Sequence, residues 1–305
     1  MKTTSAAGAR HLAACPICGC STSERVWSED GWDLEHCAEC GVVYLGNPPT
    51  TEELDRLYSF ESGFHSELSD GLSKQAGSAR RTGAHFADMV VRSRSTPGSV
   101  LDVGCAAGYF LDEMTQRDWV SAGVEFSRDT AAVARGRFGL DITVGTIDSV
   151  DISSSPDGTG FDAVTMWDVL EHVPDPVQVL RSAHGLVAPG GSLWISTPNI
   201  GGLFPVASLK VAGRVGKWPH PEPPFHLFQF SVETLTDVLT RGGFAVAEVH
   251  HERIPLSFTF GTPRRVAIEP RRLAYTLVFA PLAAVGPLVG RGDSIVVRAV
   301  PASVN

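Results

Sequence analysis

The stretch Ser99-Val-Leu-Asp-Val-Gly-Cys-Ala-Ala-Gly-Tyr-Phe-Leu111 decides the fold. Its first half, Val100 to Val103, is an apolar run of the length of a short buried strand. Gly104 to Gly108 reads as a tight turn, and a helix opens at about Tyr109. A chain passes from strand to helix in this way around a nucleotide-like ligand. Gly104 permits the sharp turn, Gly108 removes a Cβ from the ligand's approach, and the helix start offers N–H groups to a carboxylate. The dinucleotide fingerprint G-x-G-x-x-G is absent.

The following residues extend the pattern. Val120 to Glu125 is a second apolar run, ending in an acidic residue about 20 positions beyond the glycines, where a ribose diol needs an acceptor. Phe161-Asp-Ala-Val-Thr-Met-Trp-Asp-Val-Leu-Glu-His-Val-Pro-Asp-Pro176 gives a strand, a polar strand end and a proline-marked turn. Gly190-Gly-Ser-Leu-Trp-Ile-Ser-Thr-Pro-Asn199 gives another strand. Strands are expected over 99–103, 120–125, 141–144, 161–166, 191–196, 244–250 and 294–300, with helices over 108–117, 128–137, 175–187 and 231–241. Such alternation predicts an α/β fold with a mostly parallel sheet.

At these residues the chain resembles the class I S-adenosylmethionine-dependent methyltransferases, over roughly 96–250 and the last strand. The resemblance implies a Rossmann-like seven-stranded methyltransferase sheet, with the seventh strand antiparallel near one edge. One departure is Ala106, which stands where that family often has the middle glycine of G-x-G-x-G; a methyl group there predicts a slightly shifted turn. The implied cofactor is S-adenosyl-L-methionine. Gly104 and Gly108 would meet its methionine part through the backbone, and Asp102 would fix the turn or receive the ammonium. Glu125 would accept both ribose hydroxyls, Phe126 would stack on adenine, and Thr146 and Ile147 would follow its edge. Trp167, Asp168, Glu171 and His172 would lie near the transferring methyl group. His172 is one candidate base, with an ordinary pKa of about 6.5. His226, in Pro-Phe-His-Leu-Phe-Gln-Phe-Ser, resembles an H-L-x-x-F-S element of many relatives and competes with it. The plainer readings are a helix-start histidine satisfied by backbone for His172 and a loop-packing histidine for His226, with Glu171 holding a loop.

At 305 residues and 43% hydrophobic composition the chain can bury a full α/β core and carry a small second module. Its net charge of -9 argues against nucleic acid as the main partner and fits a small-molecule methyl acceptor. Residues 1–12 read as a flexible tail without the apolar core of a signal peptide, so a cytoplasmic location is expected. The favoured function is methyl transfer to an oxygen of a sugar, phenol or natural-product intermediate. Two other classes compete. A ribosomal RNA base methyltransferase also places a cysteine site before its core. A non-catalytic cofactor-binding protein could use such a site to dock a partner.

Four of the six cysteines are organised. Cys15-Pro-Ile-Cys18-Gly and Cys37-Ala-Glu-Cys40-Gly are two hooks whose thiolates suit tetrahedral S₄ coordination of a structural Zn²⁺. Residues 13–46 are therefore expected to form a zinc-ribbon module with strands near 25–27 and 42–45. A helical linker and lid should occupy 47–95, its long helix spanning about 72–94. The methyltransferase domain should fill 96–305, with insertions at 201–229 and 252–292. Within the second insertion, residues 264–290 combine four arginines with an apolar run interrupted by Pro281 and Pro287. The expectation is a pair of short buried helices; the alternative is a patch at a membrane interface.

Overall fold

A computed structural model describes residues 11–57, 74–216, 218 and 220–302. The elements in chain order are β1 (Ser23–Glu29), β2 (Trp32–Cys37), β3 (Val43–Leu45), α1 (Thr51–Leu57), α2 (Lys74–Arg92), β4 (Ser99–Val103) and α3 (Tyr109–Thr115). Then follow β5 (Val120–Glu125), α4 (Arg128–Phe138), β6 (Asp141–Val144), β7 (Phe161–Trp167), α5 (Pro176–His184), β8 (Val187–Pro198) and α6 (Leu203–Val215). The remainder is β9 (Phe228–Gln229), α7 (Val232–Arg241), β10 (Phe244–Glu252), α8 (Leu256–Thr259), α9 (Pro263–Ile268), α10 (Pro270–Val285) and β11 (Ser294–Pro301). Residues 1–10 of the predicted tail, and residues 58–73 of the predicted linker, lie outside the described residues.

The predicted sheet forms with seven strands in the order β10-β11-β8-β7-β4-β5-β6. β11 runs antiparallel to β8 and β10, and the other neighbours are parallel. Side chains alternate between its two faces. Leu101, Val103, Leu193, Ile195, Ile295 and Val297 enter one core, while Val100, Trp194 and Val296 enter the other. Burial on both faces is why these strands read as nearly unbroken apolar runs. The chain leaves β4 towards β5 and β6, then returns to place β7 on β4's other side. The crevice at the carboxyl ends of β4 and β7 is thus a topological switch point, where open α/β sheets bind ligands.

Local signals set the helix ends. Ser127 caps α4 by accepting from the Thr130 N–H, and Gly139 closes that helix with φ 68°. Asp175 caps α5, with Pro176 in its first turn. Ser231 and Thr234 form a reciprocal capping box on α7.

Three features depart from expectation. β2 was not foreseen; Trp32 and Leu34 are buried between the acidic Asp33 and Glu35. The cysteine-bearing strands also do not stand apart. Their sheet, β1-β2-β3-β9, is completed by Phe228–Gln229 from the 201–229 insertion, and one apolar core runs from Cys15 and Leu45 through Phe228 and Phe230 to Val164. Finally, the pair of short buried helices expected within 264–290 is corrected. Pro281 lies inside α10 without ending it, because tertiary contacts hold the helix on both sides of it. Phe279 and Ala283 pack against Phe204 and Phe260, but the opposite side is open: Leu277 is 68% exposed and Leu288 83%. Pro270–Val289 is long and apolar enough by length and composition to cross a membrane, with only 17% of that stretch buried.

Candidate active site

The turn after β4 is held by hydrogen bonds from two directions. Gly104 N–H donates to the Val124 carbonyl at 2.8 Å, and Gly108 N–H donates to the Cys105 carbonyl at 3.0 Å. Gly104 and Gly108 adopt φ of 72° and 81°, and Ala106 adopts 47°. The expected reason for Gly108 needs correction. A Cβ there would lie 2.6 Å from Leu140 Cδ1 and 3.0 Å from Ala134 Cβ, so its missing side chain admits the packing of α4 and the loop before β6 rather than a ligand. A Cβ at Gly104 would meet Val169 at 2.7 Å.

Glu125 ends β5 and organises the same turn. One carboxylate oxygen accepts from Ala106 N–H at 2.9 Å, the other from Ser127 N–H at 2.8 Å. Each oxygen retains a further lone pair, so the carboxylate is fixed in orientation while keeping acceptor capacity. Burial raises its pKa, opposed by those backbone N–H groups. Phe126, the next residue, leaves its ring 51% exposed. Asp102 lies beneath the turn, 2% exposed, and accepts from Thr165 Oγ1 at 2.6 Å. Burial pushes its carboxyl up to about 8, with the Thr165 bond opposing and the Glu125 charge reinforcing. Thr146 precedes a short 3₁₀ turn whose first residue, Ile147, is buried in the core. The Ile147 side chain is thus committed to the core, and its backbone is the part left to face the turn. Asp148 accepts from Ser182 Oγ at 2.5 Å and is committed to α5.

Trp167 closes β7. Its ring stacks on Phe86 of α2 at 4.1 Å between centroids and meets Phe110 edge-on at 5.2 Å, while its indole N–H is buried without a hydrogen-bond partner. α2 reaches this position because Gly83 sits on the start of α3, where a Cβ would stand 3.1 Å from Phe110 N.

Next to Trp167 opens a cavity of about 490 Å³. Phe86, Pro198, Phe204 and Phe258 give it apolar walls, and Asp168, Glu171, His220, Glu222 and His226 line its polar part. Asp168 has φ 52°, a strained geometry for a non-glycine residue, of the kind found at functional sites. Its N–H and carboxylate both bond to the Ser196 hydroxyl at 2.9 Å. The carboxylate is enclosed by protein yet open to the cavity, and that enclosure raises its pKa against the Ser196 bond. Glu171 is 1% exposed; burial and the Asp168 charge push its carboxyl well above the usual range, opposed by the nearby Thr197 hydroxyl. Glu171 holds the facing loop by its backbone, its carbonyl accepting from Leu227 N–H at 2.8 Å.

His172 and His226 prove to be neighbours rather than alternatives. Their ring centroids lie 4.8 Å apart at 73°. His172 Nδ1 donates to the Phe225 carbonyl at 2.8 Å, while His226 Nδ1 is buried without a partner. Burial lowers both pKa values, and that of His226 falls further through its proximity to His172 and His220. Both rings are neutral at pH 7 and able to accept a proton. The sequence reading missed Thr165 and Ser196, which lie inside the quoted strand motifs, and Glu222 and Phe86, which carry no local signal; His220 also lines the cavity, its pKa lowered to about 4 by burial.

In the N-terminal sheet region the four cysteine sulfurs converge. Cys15 and Cys40 are 3.7 Å apart, Cys18 and Cys37 3.5 Å, and all four lie within 4.8 Å of one another. A tetrahedral S₄ shell with bonds of about 2.3 Å requires edges of about 3.8 Å. No disulfide joins the described cysteines.

A family model described as a methyltransferase domain matches residues 73–249, more than half of the chain. The ubiquinone biosynthesis O-methyltransferase of Pseudomonas paraeruginosa is 38% identical over 104 residues, which make up 33% of this chain and 44% of that protein. The protein of the same name from Chromobacterium violaceum is 36% identical over 116 residues, 37% of this chain and 50% of that protein. The chain thus spans about half the length of the curated relatives it matches. Among solved structures, the magnesium protoporphyrin IX methyltransferase of Synechocystis PCC 6803 with bound SAH superposes with a TM-score of 0.52 at 16% identity, covering 83% of this chain and 99% of that one. That likeness is one of fold.

Proposed function

The chain belongs to the methyltransferase-domain family, and from that premise we propose that it moves a methyl group from S-adenosyl-L-methionine to an oxygen of a small-molecule acceptor. One observation carries this reading: the glycine turn and the oriented Glu125 carboxylate stand at the carboxyl ends of β4 and β5, and a partly polar, partly open cavity lies beyond the carboxyl end of β7. The names of the curated relatives support oxygen as the receiving atom.

The residues fit such a cofactor. Glu125 keeps two lone pairs for a diol, Phe126 offers an exposed ring, and Trp167 presents an unpartnered N–H. Asp102 braces the turn through Thr165. When bound, the cofactor supplies an already activated methyl group. What the protein adds is alignment and exclusion of water. Phe86 on α2 and Trp167 at the end of β7 cover the site, Asp168 and Ser196 fix one cavity wall, and the His172–His226 pair takes up the acceptor's hydroxyl proton. The sugar, phenol or natural-product acceptor enters by the side of Phe258 and Arg253. The test is calorimetry with S-adenosylhomocysteine. Saturable binding at one site is expected, and its absence in folded protein overturns the reading.

Two further elements belong to the proposal. Cys15, Cys18, Cys37 and Cys40 hold a structural Zn²⁺, supported by the convergence of their sulfurs. The open side of α8, α9 and α10, with Phe258, Ile268, Leu277 and Leu288 exposed beside Arg264, Arg265 and Arg271, rests on an anionic lipid surface. A basic, apolar patch on a chain of net charge -9 supports that contact. The protein is then peripheral to a membrane rather than embedded in it, since Phe279 and Ala283 are committed to the domain.

A further inference from the structure

The acceptor cavity is divided by charge. Its buried part carries the carboxyl groups of Asp168, Glu171 and Glu222 and the neutral rings of His220 and His226. With or without their protons, those carboxyls offer no positive charge to a ligand. The rim does. Arg81 of α2 and Arg253, just past β10, both line the cavity and are both exposed. Among the described residues neither guanidinium makes a hydrogen bond or an ion pair. Arg80, the neighbour of Arg81, does pair, with Asp112 at 3.4 Å. One contact brings the two arginines to the same rim. His85 Nε2 lies 3.2 Å from the Glu252 carboxylate and joins α2 to the end of β10. Arg81 stands one helical turn before His85 on the same face of α2, and Arg253 directly follows Glu252. Arg253 also feels Asp293, but that carboxylate is 1% exposed and accepts from the Ile254 N–H at 2.9 Å.

We propose that Arg81 and Arg253 bind a phosphate group of the methyl acceptor, which is therefore a phosphorylated hydroxy compound. Guanidinium forks match phosphate oxygens bidentately, and two of them balance a dianion. The polarity of the cavity fixes the orientation. The phosphate stays at the rim, because the buried part repels it or gives it no counter-charge. The hydroxyl end goes inward, where His220 Nε2 and His226 Nδ1 are buried without hydrogen-bond partners. Phe86 and Phe258 supply apolar walls between the two ends. The phosphate is either that of a soluble ester or that of a lipid headgroup, since Phe258 is 72% exposed beside Arg253. What the inner hydroxyl undergoes rests on the methyltransferase reading; capture of the phosphate does not.

The test is calorimetry on the full-length protein with 4-hydroxyphenyl phosphate and its neutral counterpart hydroquinone, with and without S-adenosylhomocysteine. Wild type should bind the phosphate ester about tenfold tighter than hydroquinone or better. Arg81→Gln/Arg253→Gln should bind the two probes alike and keep wild-type affinity for S-adenosylhomocysteine, which shows that it is folded. Equal affinities in wild type, no binding of the ester, or an undiminished preference in the double variant overturns the site. Should the double variant fail to fold, the wild-type comparison repeated at higher salt decides: a preference that does not shrink overturns the site. Sedimentation with phosphatidylglycerol vesicles separates the two sources. Loss of ester preference with vesicle binding intact assigns a soluble phosphoester, and loss of both assigns a lipid-borne phosphate. A preference for the ester in folded protein that binds no S-adenosylhomocysteine refutes the methyltransferase reading and leaves the phosphate site standing.

Discussion

Replacing Asp102 by Asn tests the physical account of the site most directly. In the folded protein its carboxyl is pushed up to about 8, against 3.8 for an unperturbed aspartate, by burial beneath the turn. Between those two values the folded state holds a proton that the unfolded chain has released. The group's contribution to stability is therefore full below the unfolded value and is lost as pH rises through the folded one. The slope is about -1.4 kcal/mol per pH unit, so about 2.7 kcal/mol disappears between pH 5 and 7. Asparagine has no proton to lose, and its amide oxygen still accepts from Thr165 Oγ1, now at 2.6 Å from Asp102. Glu125, Asp168, Glu171, Glu222 and Asp293 are shifted in the same direction, so the wild-type slope contains more than this one group. The diagnostic quantity is the difference between the two proteins. Urea unfolding followed from about pH 5 to 8 should give a slope shallower by about 1.4 kcal/mol per unit in Asp102→Asn. Parallel slopes would show that Asp102 is ionised in the fold, and the reasoning from its burial would be wrong.

Glu125→Gln keeps the side-chain shape but replaces one of two acceptor oxygens by a donor; S-adenosylhomocysteine affinity by calorimetry should fall by about 1–3 kcal/mol, and an unchanged value removes Glu125 from the cofactor site. Cys37→Ser should cost about one equivalent of bound zinc in elemental analysis and lower thermal stability, whereas unaltered metal content contradicts the S₄ site. With anionic vesicles the wild-type protein should co-sediment, and changing Arg264, Arg265, Arg271 and Arg272 to Gln should abolish this; equal sedimentation of both, or of neither, argues against the lipid contact.

The parts of the molecule legible in the sequence are those where local and long-range preferences coincide. β5 and β6 occupy the expected 120–125 and 141–144, because their buried residues, Val124 and Ile142 among them, are separated by a helix bounded by the Ser127 cap and the Gly139 turn. The cofactor-side residues were legible for the same reason, since a glycine turn and an acidic strand end are local patterns. What was hidden depends on partners distant in sequence. β8 starts four residues earlier than expected because Val187 pairs with Phe161 before the bulge at Gly190–Gly191. β9 is two residues long and exists only through its pairing with β3. Nothing near His172 or His226 signals that their rings will be 4.8 Å apart; the loop carrying His226 is brought there by Leu227. The apolar pattern at 264–290 misled as well: the run was read as interior although its side chains divide between the domain and solvent.

The pairing of β3 with β9 bears on how the chain is made. Val43 and Tyr44 find their partners in Gln229 and Phe228, and the Leu45 N–H finds its own in the Leu227 carbonyl at 2.8 Å. During synthesis, β1 and β2 emerge long before those partners, so until then β3 presents an open edge of the kind that invites pairing with other chains. Contacts of such sequence separation also slow folding, because the intervening loop must close before they form. Metal capture by the cysteines would shelter this early segment by fixing its hairpin while the rest of the chain is translated. The four-stranded sheet is then completed by the docking of the 220–229 loop on a waiting edge, and that same step sets His226 beside Glu171. Maturation of the acceptor cavity therefore follows completion of the sheet, and a nascent chain halted before residue 229 would carry neither.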